Sequence, residues 1–133
     1  MALLMAGFCP EYFKAVGAFV PISDLALWAE QSAEYRRHVL ACCSSSKEEM
    51  LLRSPVSYVD TIVKANLKIF HGKTDPIVPF TQSLTMYQLL LEKDPKARVY
   101  LDIFDGRHEL DLDAAGKWFM SQYKDHKMTQ VTG

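Results

Sequence analysis

An aspartate and a histidine, each in a turn that follows an apolar segment, have the residue types needed for nucleophilic catalysis. Asp75 lies in the turn GKTDP, and His108 lies in the turn DGRH. A carboxylate that accepts the Nδ1–H of an imidazole fixes the ring's tautomer and leaves Nε2 free to take a proton from a nucleophile. We therefore predict that Asp75 is the acid and His108 the general base of a catalytic triad.

The spacing of the two residues supports this pairing. They are 33 residues apart, which is about the length of one strand–helix–strand unit. Taken alone, Asp75 could be an ordinary Asp-Pro turn residue and His108 a surface histidine. Their joint placement, each four residues beyond a predicted strand, favours the catalytic interpretation.

Three apolar segments are predicted to be the strands that position these turns. Residues 14–22, 67–71 and 99–104 have the composition of buried strands, and helical patterns lie between them. This alternation predicts an α/β fold with about three parallel strands, joined by right-handed crossovers. Loops beyond the carboxyl ends of parallel strands share one rim of the sheet, so Asp75 and His108 should lie on the same rim.

The helices are predicted from their caps and apolar faces. Ser23 and Asp24 offer caps for a helix that extends to about residue 40. Asp111 or Asp113 should cap the last helix, and the polar tail, residues 124–133, should fray. The apolar positions expected to face the core are Phe80, Leu84, Tyr87 and Leu91 in the helix after Asp75, and Leu112, Ala115, Trp118 and Phe119 in the last helix.

Composition argues against several classes of function. The chain has 133 residues, enough for one domain, of which 49% are hydrophobic and 23% charged. A net charge of −1 indicates neither a nucleic-acid nor a membrane partner, and no apolar run reaches the roughly 18 residues of a membrane-spanning helix. Cys9, Cys42 and Cys43 lack disulfide or zinc spacing, and no phosphate-binding glycine pattern occurs. We expect no cofactor and no metal. The sequence does not indicate a cellular compartment.

The remaining histidines and the large aromatic residues are expected to have structural roles. His71, at the end of its strand, is predicted to be a packed or supporting histidine. His38 and His126 lie in polar helical segments and should be exposed. Trp28, Tyr35 and Tyr58 could line a pocket between the strands, but core packing is the expected role.

The segment SPVSYVDTIVKANLKIFHGKTDPIVPFTQSLTMYQLL, residues 54–90, resembles the acid-bearing part of the prolyl oligopeptidase family of serine hydrolases. The H-G-x-x-D-x-x-V-P motif of that family stands at residues 71–79. Gly106-Arg107-His108 is similar to the family's histidine loop, and residues 10–15 resemble the join after its nucleophile elbow. The resemblance covers residue 1 to about 124 and implies the C-terminal half of an α/β-hydrolase catalytic domain, with Asp75 and His108 in the triad.

The departures from the family's pattern concern the nucleophile. No Gly-x-Ser occurs in the chain, so the resemblance implies that the serine lies outside it and that the isolated chain is inactive. Cys9 stands where the nucleophile of such an elbow would stand, after Gly7 and Phe8. However, Pro10 has no N–H to donate to an oxyanion, and no glycine stands at residue 11. We therefore do not assign Cys9 as nucleophile. Glu109 follows His108 where the family often has a small residue.

Three functions follow as hypotheses. The first is a fragment of a serine hydrolase or peptidase that cleaves amide or ester bonds through an acyl-enzyme, with a peptide or ester substrate in the intact parent. The second is a non-catalytic binding or oligomerising module, which would self-associate through the unpaired strand edge at residues 15–20. The third is a carboxylesterase of the same fold.

Overall fold

Three parallel strands form one sheet in the order β1–β2–β3. This computed structural model describes the backbone of residues 1–132 and the side chains of residues 1–124. The strands are β1 (Val16–Phe19), β2 (Leu67–Gly72) and β3 (Val99–Phe104). Their number and parallel direction confirm the sheet predicted from the alternation of apolar segments.

The helices lie on both faces of this sheet. Leu3 and Met86 join the strand residues Ala18, Leu67 and Ile69 in one buried core, which places the helices that carry them on one face. On the other face, the α7 side chain Phe119 lies against Gly17. The helices are α1 (Ala2–Phe8), α2 (Leu25–Gln31), α3 (Ala33–Cys42), α4 (Lys47–Leu52), α5 (Val59–Ile62), α6 (Thr81–Lys93) and α7 (Leu112–Thr132), with short 3-10 helices at Pro10–Tyr12 and Pro55–Tyr58. The arrangement is that of a partial α/β-hydrolase fold.

Strand β1 is shorter than predicted. The sequence indicated residues 14–22, but the strand ends at Phe19. Val20 has a φ of 42°, which is sterically unfavourable for a β-branched residue and turns the chain out of the sheet. Pro21 follows and has no N–H for a ladder hydrogen bond.

The helix predicted from Asp24 to residue 40 is two helices. Asp24 caps the first as predicted, because its Oδ1 accepts the Leu27 N–H at 3.0 Å. Ser32 is extended, with φ −127° and ψ 97°, and separates α2 from α3. The Arg36 guanidinium donates to the Ala29 carbonyl at 2.8 Å, so a side chain satisfies a carbonyl at the end of α2.

The buried face of α6 differs from the predicted apolar stripe. Its buried residues are Gln82, Ser83, Met86 and Leu90, whereas Phe80, Leu84, Tyr87 and Leu91 are only partly buried. The face of α6 that meets the core is therefore rotated relative to the prediction. Gln82 and Ser83 make buried hydrogen bonds on this face, which the apolar pattern does not reveal.

The last helix fits the prediction only in part. Asp111 caps α7 by accepting the Ala114 N–H at 3.2 Å, and Ala115 is buried, but Leu112 is exposed and Phe119 is 40% exposed. Helix α7 extends to Thr132, within the tail predicted to fray, and the exposure expected of His126 concerns a side chain outside the described residues. Within the described part of the chain, no helix combines the length and apolarity needed to cross a membrane.

Candidate active site

Two loops beyond the carboxyl ends of β2 and β3 meet at one rim of the sheet. We call residues 73–78 the acid loop and residues 105–111 the histidine loop. The Lys73 N–H donates to the Phe104 carbonyl at 2.9 Å, and the Thr74 N–H donates to the Gly106 carbonyl at 3.0 Å. Backbone hydrogen bonding between the neighbouring strands thus continues into the loops and holds them side by side.

The loops approach so closely that one position requires glycine. A Cβ placed on Gly72 would fall on the Arg107 carbonyl and lie 2.7 Å from the Gly106 carbonyl oxygen. Since those atoms belong to backbone, a side chain at residue 72 would push the histidine loop away from the acid loop.

The Asp75 carboxylate lies at the centre of the rim. Its Oδ1 accepts the N–H groups of Ile77 at 2.8 Å and Val78 at 2.9 Å, and its Oδ2 lies 2.8 Å from His108 Nδ1. The Asp75 side chain is 0% exposed. The structure therefore brings together the two residues that the sequence singled out, although their catalytic roles remain predictions.

The environment of Asp75 favours its ionised form. Burial by itself raises the pKa of the Asp75 carboxyl. The hydrogen bonds from the two loop amides and from His108 outweigh burial, so the pKa lies below its ordinary value of 3.8. Asp75 is thus a carboxylate near neutral pH and accepts hydrogen bonds without donating one.

The orientation of His108 follows from this carboxylate. Because Asp75 Oδ2 only accepts, His108 Nδ1 carries the proton between them, and Nε2 of the neutral ring has a free lone pair. The His108 side chain is 37% exposed. Within residues 1–124, no hydroxyl or thiol makes a hydrogen bond to His108 Nε2. Glu109, the departure from the family's pattern, accepts the Arg107 N–H at 3.0 Å and so stabilises the histidine loop.

A cleft of about 480 Å³ lies beside His108. Trp28 is in its wall and is fixed there by donating its Nε1–H to the Ile77 carbonyl at 2.9 Å. Tyr35 stacks on Trp28, and Tyr58 packs against Phe8, so these two tyrosines have the structural roles expected of them. The cleft is mostly apolar; Val20, Ile22, Leu25, Ile77 and Val78 are among its lining residues.

A larger groove, of about 810 Å³, lies near the amino ends of the strands. It is lined by Ala15, Asn66 and Arg98, which precede the three strands, and it contains neither Asp75 nor His108. The chemistry of the rim, and not cavity size, therefore identifies the candidate site.

A buried histidine lies directly behind the acid. His71 is 0% exposed, as expected of a packed histidine; its Nε2 is 2.8 Å from the Val78 carbonyl oxygen and 3.3 Å from Asp75 Oδ2. Its Nδ1 is 2.6 Å from the hydroxyl of Ser83, a residue that sequence reasoning missed. Burial lowers the pKa of His71 below 6.5, although the Val78 carbonyl and the Asp75 charge act to raise it. His38 is exposed, as predicted.

Within the part of the chain that the structure describes, the other candidate groups form no second centre. Cys9, Cys42 and Cys43 are free thiols, and Cys9 ends helix α1 without following a strand. Among the described residues, no group of three His, Cys, Asp or Glu side chains is arranged to hold a metal ion.

Comparison with known proteins supports the likeness seen in the sequence. Comparison with curated proteins gives no match. Among solved structures, the Pyrococcus horikoshii acylaminoacyl peptidase is 27% identical with a TM-score of 0.67, over 80% of this chain and 17% of that one. A Mycobacterium tuberculosis puromycin-hydrolyzing peptidase is 24% identical with a TM-score of 0.70, over 81% and 17%. The Pyrococcus furiosus esterase Pf2001 is 16% identical with a TM-score of 0.59, over 93% and 47%.

The chain thus spans less than a fifth of the length of these two peptidases. The two matches below 25% identity show the fold alone. The model of the prolyl oligopeptidase family matches residues 1–126, nearly the whole chain. On this match, the chain belongs to the prolyl oligopeptidase family.

Proposed function

We propose that this chain supplies the acid and the general base of a serine hydrolase that cleaves amide or ester bonds through an acyl-enzyme. The nucleophilic serine would come from a part of the parent protein outside these 133 residues. The observation that carries the proposal is the 2.8 Å hydrogen bond between His108 Nδ1 and the buried Asp75 carboxylate.

In the proposed reaction, His108 moves the proton and Asp75 does not. Nε2 takes the serine proton as the serine oxygen attacks the substrate carbonyl, and Asp75 stabilises the resulting imidazolium. The imidazolium then protonates the leaving amine or alcohol. Water repeats these steps on the acyl-enzyme and regenerates the serine. The oxyanion-binding N–H groups would come from the residue after the nucleophile and from an earlier loop, as in other α/β-hydrolases.

A peptide substrate is better supported than an ester. The peptidase matches include an acylaminoacyl peptidase, 25% identical, that was solved in complex with Z-Gly-Gly-Phe-chloromethyl ketone. The apolar cleft beside His108 suits an apolar side chain of such a peptide. The test is a matched pair of substrates with one acyl group, an amide and an ester, given to the intact parent. Hydrolysis of the amide supports a peptidase, and turnover of the ester alone would favour the carboxylesterase.

The nucleophile's location has a direct test in the isolated chain. A fluorophosphonate probe, which reacts with activated serines, should leave this chain unlabelled and should label the intact parent. In the parent, Asp75→Asn and His108→Gln should each abolish labelling while the fold is retained. Stoichiometric labelling of a serine in the isolated chain would contradict the proposal.

The edge of β1 supports self-association as a second property of the isolated chain. The N–H groups of Val16 and Val20 donate to the carbonyls of Asn66, just before β2, and of Phe70 in β2, so by alternation those of Gly17 and Phe19 face away from β2. An unpaired strand edge of this kind is a template for another chain. Sedimentation velocity over a range of concentrations should show dimers or larger species. A well-folded monomer at every concentration would contradict this expectation.

A further inference from the structure

His71 is a polar residue in a place where an apolar one would be expected. Its ring lies in the core between β2 and α6, 0% exposed, and the proposed reaction assigns it no proton to carry. Both ring nitrogens nevertheless have partners within hydrogen-bond distance. A buried polar ring with two satisfied nitrogens fixes the groups around it.

The partners of His71 define its protonation. Nε2 faces the Val78 carbonyl oxygen at 2.8 Å and the Asp75 carboxylate at 3.3 Å, and both only accept hydrogen bonds. Nε2 must therefore carry a proton. Burial favours the neutral ring, so Nδ1 is unprotonated and accepts the Ser83 hydroxyl proton at 2.6 Å. The titratable groups that face His71 are Asp75 and His108.

Val78 connects this histidine to the acid. Its carbonyl accepts from His71 Nε2, and its own N–H donates to Asp75 Oδ1 at 2.9 Å. A hydrogen bond that fixes the Val78 carbonyl therefore also helps to fix the Val78 N–H, which donates to Asp75. Asp75 Oδ2 in turn meets His108 Nδ1, so a continuous chain of contacts runs from Ser83 to the proposed general base.

The first turn of α6 contains a second buried polar residue, Gln82, which can be compared with Ser83. Gln82 precedes Ser83 and is equally buried, at 0% exposed. Its Oε1 accepts the N–H groups of Ser23 and Asp24, and its Nε2 donates to Gln31. Gln82 thus fixes the segment between β1 and α2, whereas Ser83 fixes His71 behind the acid loop.

We propose that His71 and Ser83 are positioning residues for Asp75: Ser83 orients the His71 ring, and the ring's Nε2–H holds the acid loop so that its amides face the carboxylate. The catalytic meaning of this role rests on the proposed function. The physical role does not, because it can be measured in this chain without any substrate.

The test compares amide hydrogen exchange in four variants by NMR. His71→Leu removes the donor to Val78, and the Ile77 and Val78 amides should exchange at least about tenfold faster, relative to the β2 amide of Ile69. His71→Gln keeps an N–H donor in reach of the same carbonyl and should restore part of the protection. Gln82→Ala, the matched control, should lower stability without a selective effect on these two amides. Ser83→Ala should give a smaller selective increase, and it carries the test if His71→Leu does not fold.

Nitrogen-15 shifts of the His71 ring give a second reading, which a purely space-filling role would not predict. A protonated Nε2 and an unprotonated Nδ1 are expected. The proposal is overturned by the opposite tautomer, or by a folded His71→Leu or Ser83→Ala chain whose acid-loop amides are unchanged relative to Ile69. If exchange responds as expected but Asp75→Asn leaves the parent's activity intact, the proposed function fails and the positioning role stands.

Discussion

The acid loop and the histidine loop meet at the same rim but are held to different degrees. The Asp75 side chain in the acid loop is fully buried and accepts from two backbone amides and from His108. His108 in the histidine loop is 37% exposed, and one hydrogen bond, to Asp75, holds its ring. The Asp75 carboxylate is therefore the more firmly held group of the site, and its hydrogen bond orients the His108 imidazole.

This difference has a physical cause. A carboxylate taken out of water must be compensated by hydrogen bonds, so the acid loop has to hold its N–H groups against Asp75. A neutral imidazole has no such requirement, and its Nε2 must stay reachable to exchange a proton with a nucleophile. The predictions below change one loop at a time, or the contact between the two.

A large loss of stability is expected at Gly72, the last residue of β2, where the start of the acid loop touches the histidine loop. Gly72→Ala places a methyl group on the Arg107 carbonyl, so backbone must shift, and we expect a loss of roughly 3 kcal/mol in the free energy of unfolding. Gly116→Ala is the matched control, because a Cβ there meets no atom within 4 Å and the helix gains roughly 0.5–1 kcal/mol. Urea unfolding measures both. Equal effects at the two glycines would show that the loops do not touch as described.

The second prediction compares the two side chains directly. Asp75→Ala leaves the partly buried Ile77 and Val78 N–H groups without their acceptor and should cost about 2–4 kcal/mol of stability. His108→Ala removes a partly exposed ring and should cost about 1 kcal/mol or less. In the intact parent, however, both should lower kcat by about 10⁴-fold. A larger stability loss for His108→Ala than for Asp75→Ala would reverse the comparison.

The third prediction concerns the pH dependence of stability, to which His71 and Asp75 contribute. The pKa of His71 is lowered by burial, so the unfolded chain binds more protons and stability falls as pH drops below 6.5. Because His71 binds at most one proton, its contribution to the free energy of unfolding changes by no more than about 1.4 kcal/mol per pH unit. The lowered pKa of Asp75 adds a loss of the same sign below pH 3.8. Unfolding measured from pH 8 to 5 should show a shallower decline in His71→Gln, and parallel curves would contradict the prediction.

The smallest effect is expected within the histidine loop. Glu109→Ala removes the acceptor of the Arg107 N–H in an exposed segment, where water can replace it. We expect a change of no more than about 0.5 kcal/mol in the free energy of unfolding. Glu109→Gln keeps an acceptor oxygen and should be neutral. A loss above 1 kcal/mol in Glu109→Ala would show that this loop is held more firmly than its contacts indicate.

The sequence alone was sufficient to predict the parallel sheet and the meeting of Asp75 with His108. Both follow from local signals: apolar segments bounded by turns, and a common rim for the loops that leave parallel strands. The family's H-G-x-x-D-x-x-V-P motif points to the same aspartate. Each signal is local, and the parallel sheet then brings together two residues that are 33 apart in the chain.

The features that sequence reasoning missed depend on individual hydrogen bonds and backbone angles, which an apolar pattern does not record. Gln82 and Ser83 read as solvent-facing positions of α6, because an apolar stripe gives no weight to polar residues that bury their hydrogen bonds. The break at Ser32 is accompanied by a hydrogen bond from the Arg36 guanidinium to the Ala29 carbonyl, and β1 ends at the positive φ of Val20. A histidine four residues before the acid, with a serine in the following helix, is the signal that could have indicated the support behind Asp75.

The central claim is that the Asp75 carboxylate fixes the tautomer of His108, and nitrogen-15 NMR of that ring tests it most directly. In the wild-type chain, at a pH where the ring is neutral, the account predicts a protonated Nδ1 and an unprotonated Nε2, and a loss of this preference in Asp75→Asn. A His108 ring that exchanges freely between tautomers in the wild type, and is unchanged by Asp75→Asn, would contradict the account.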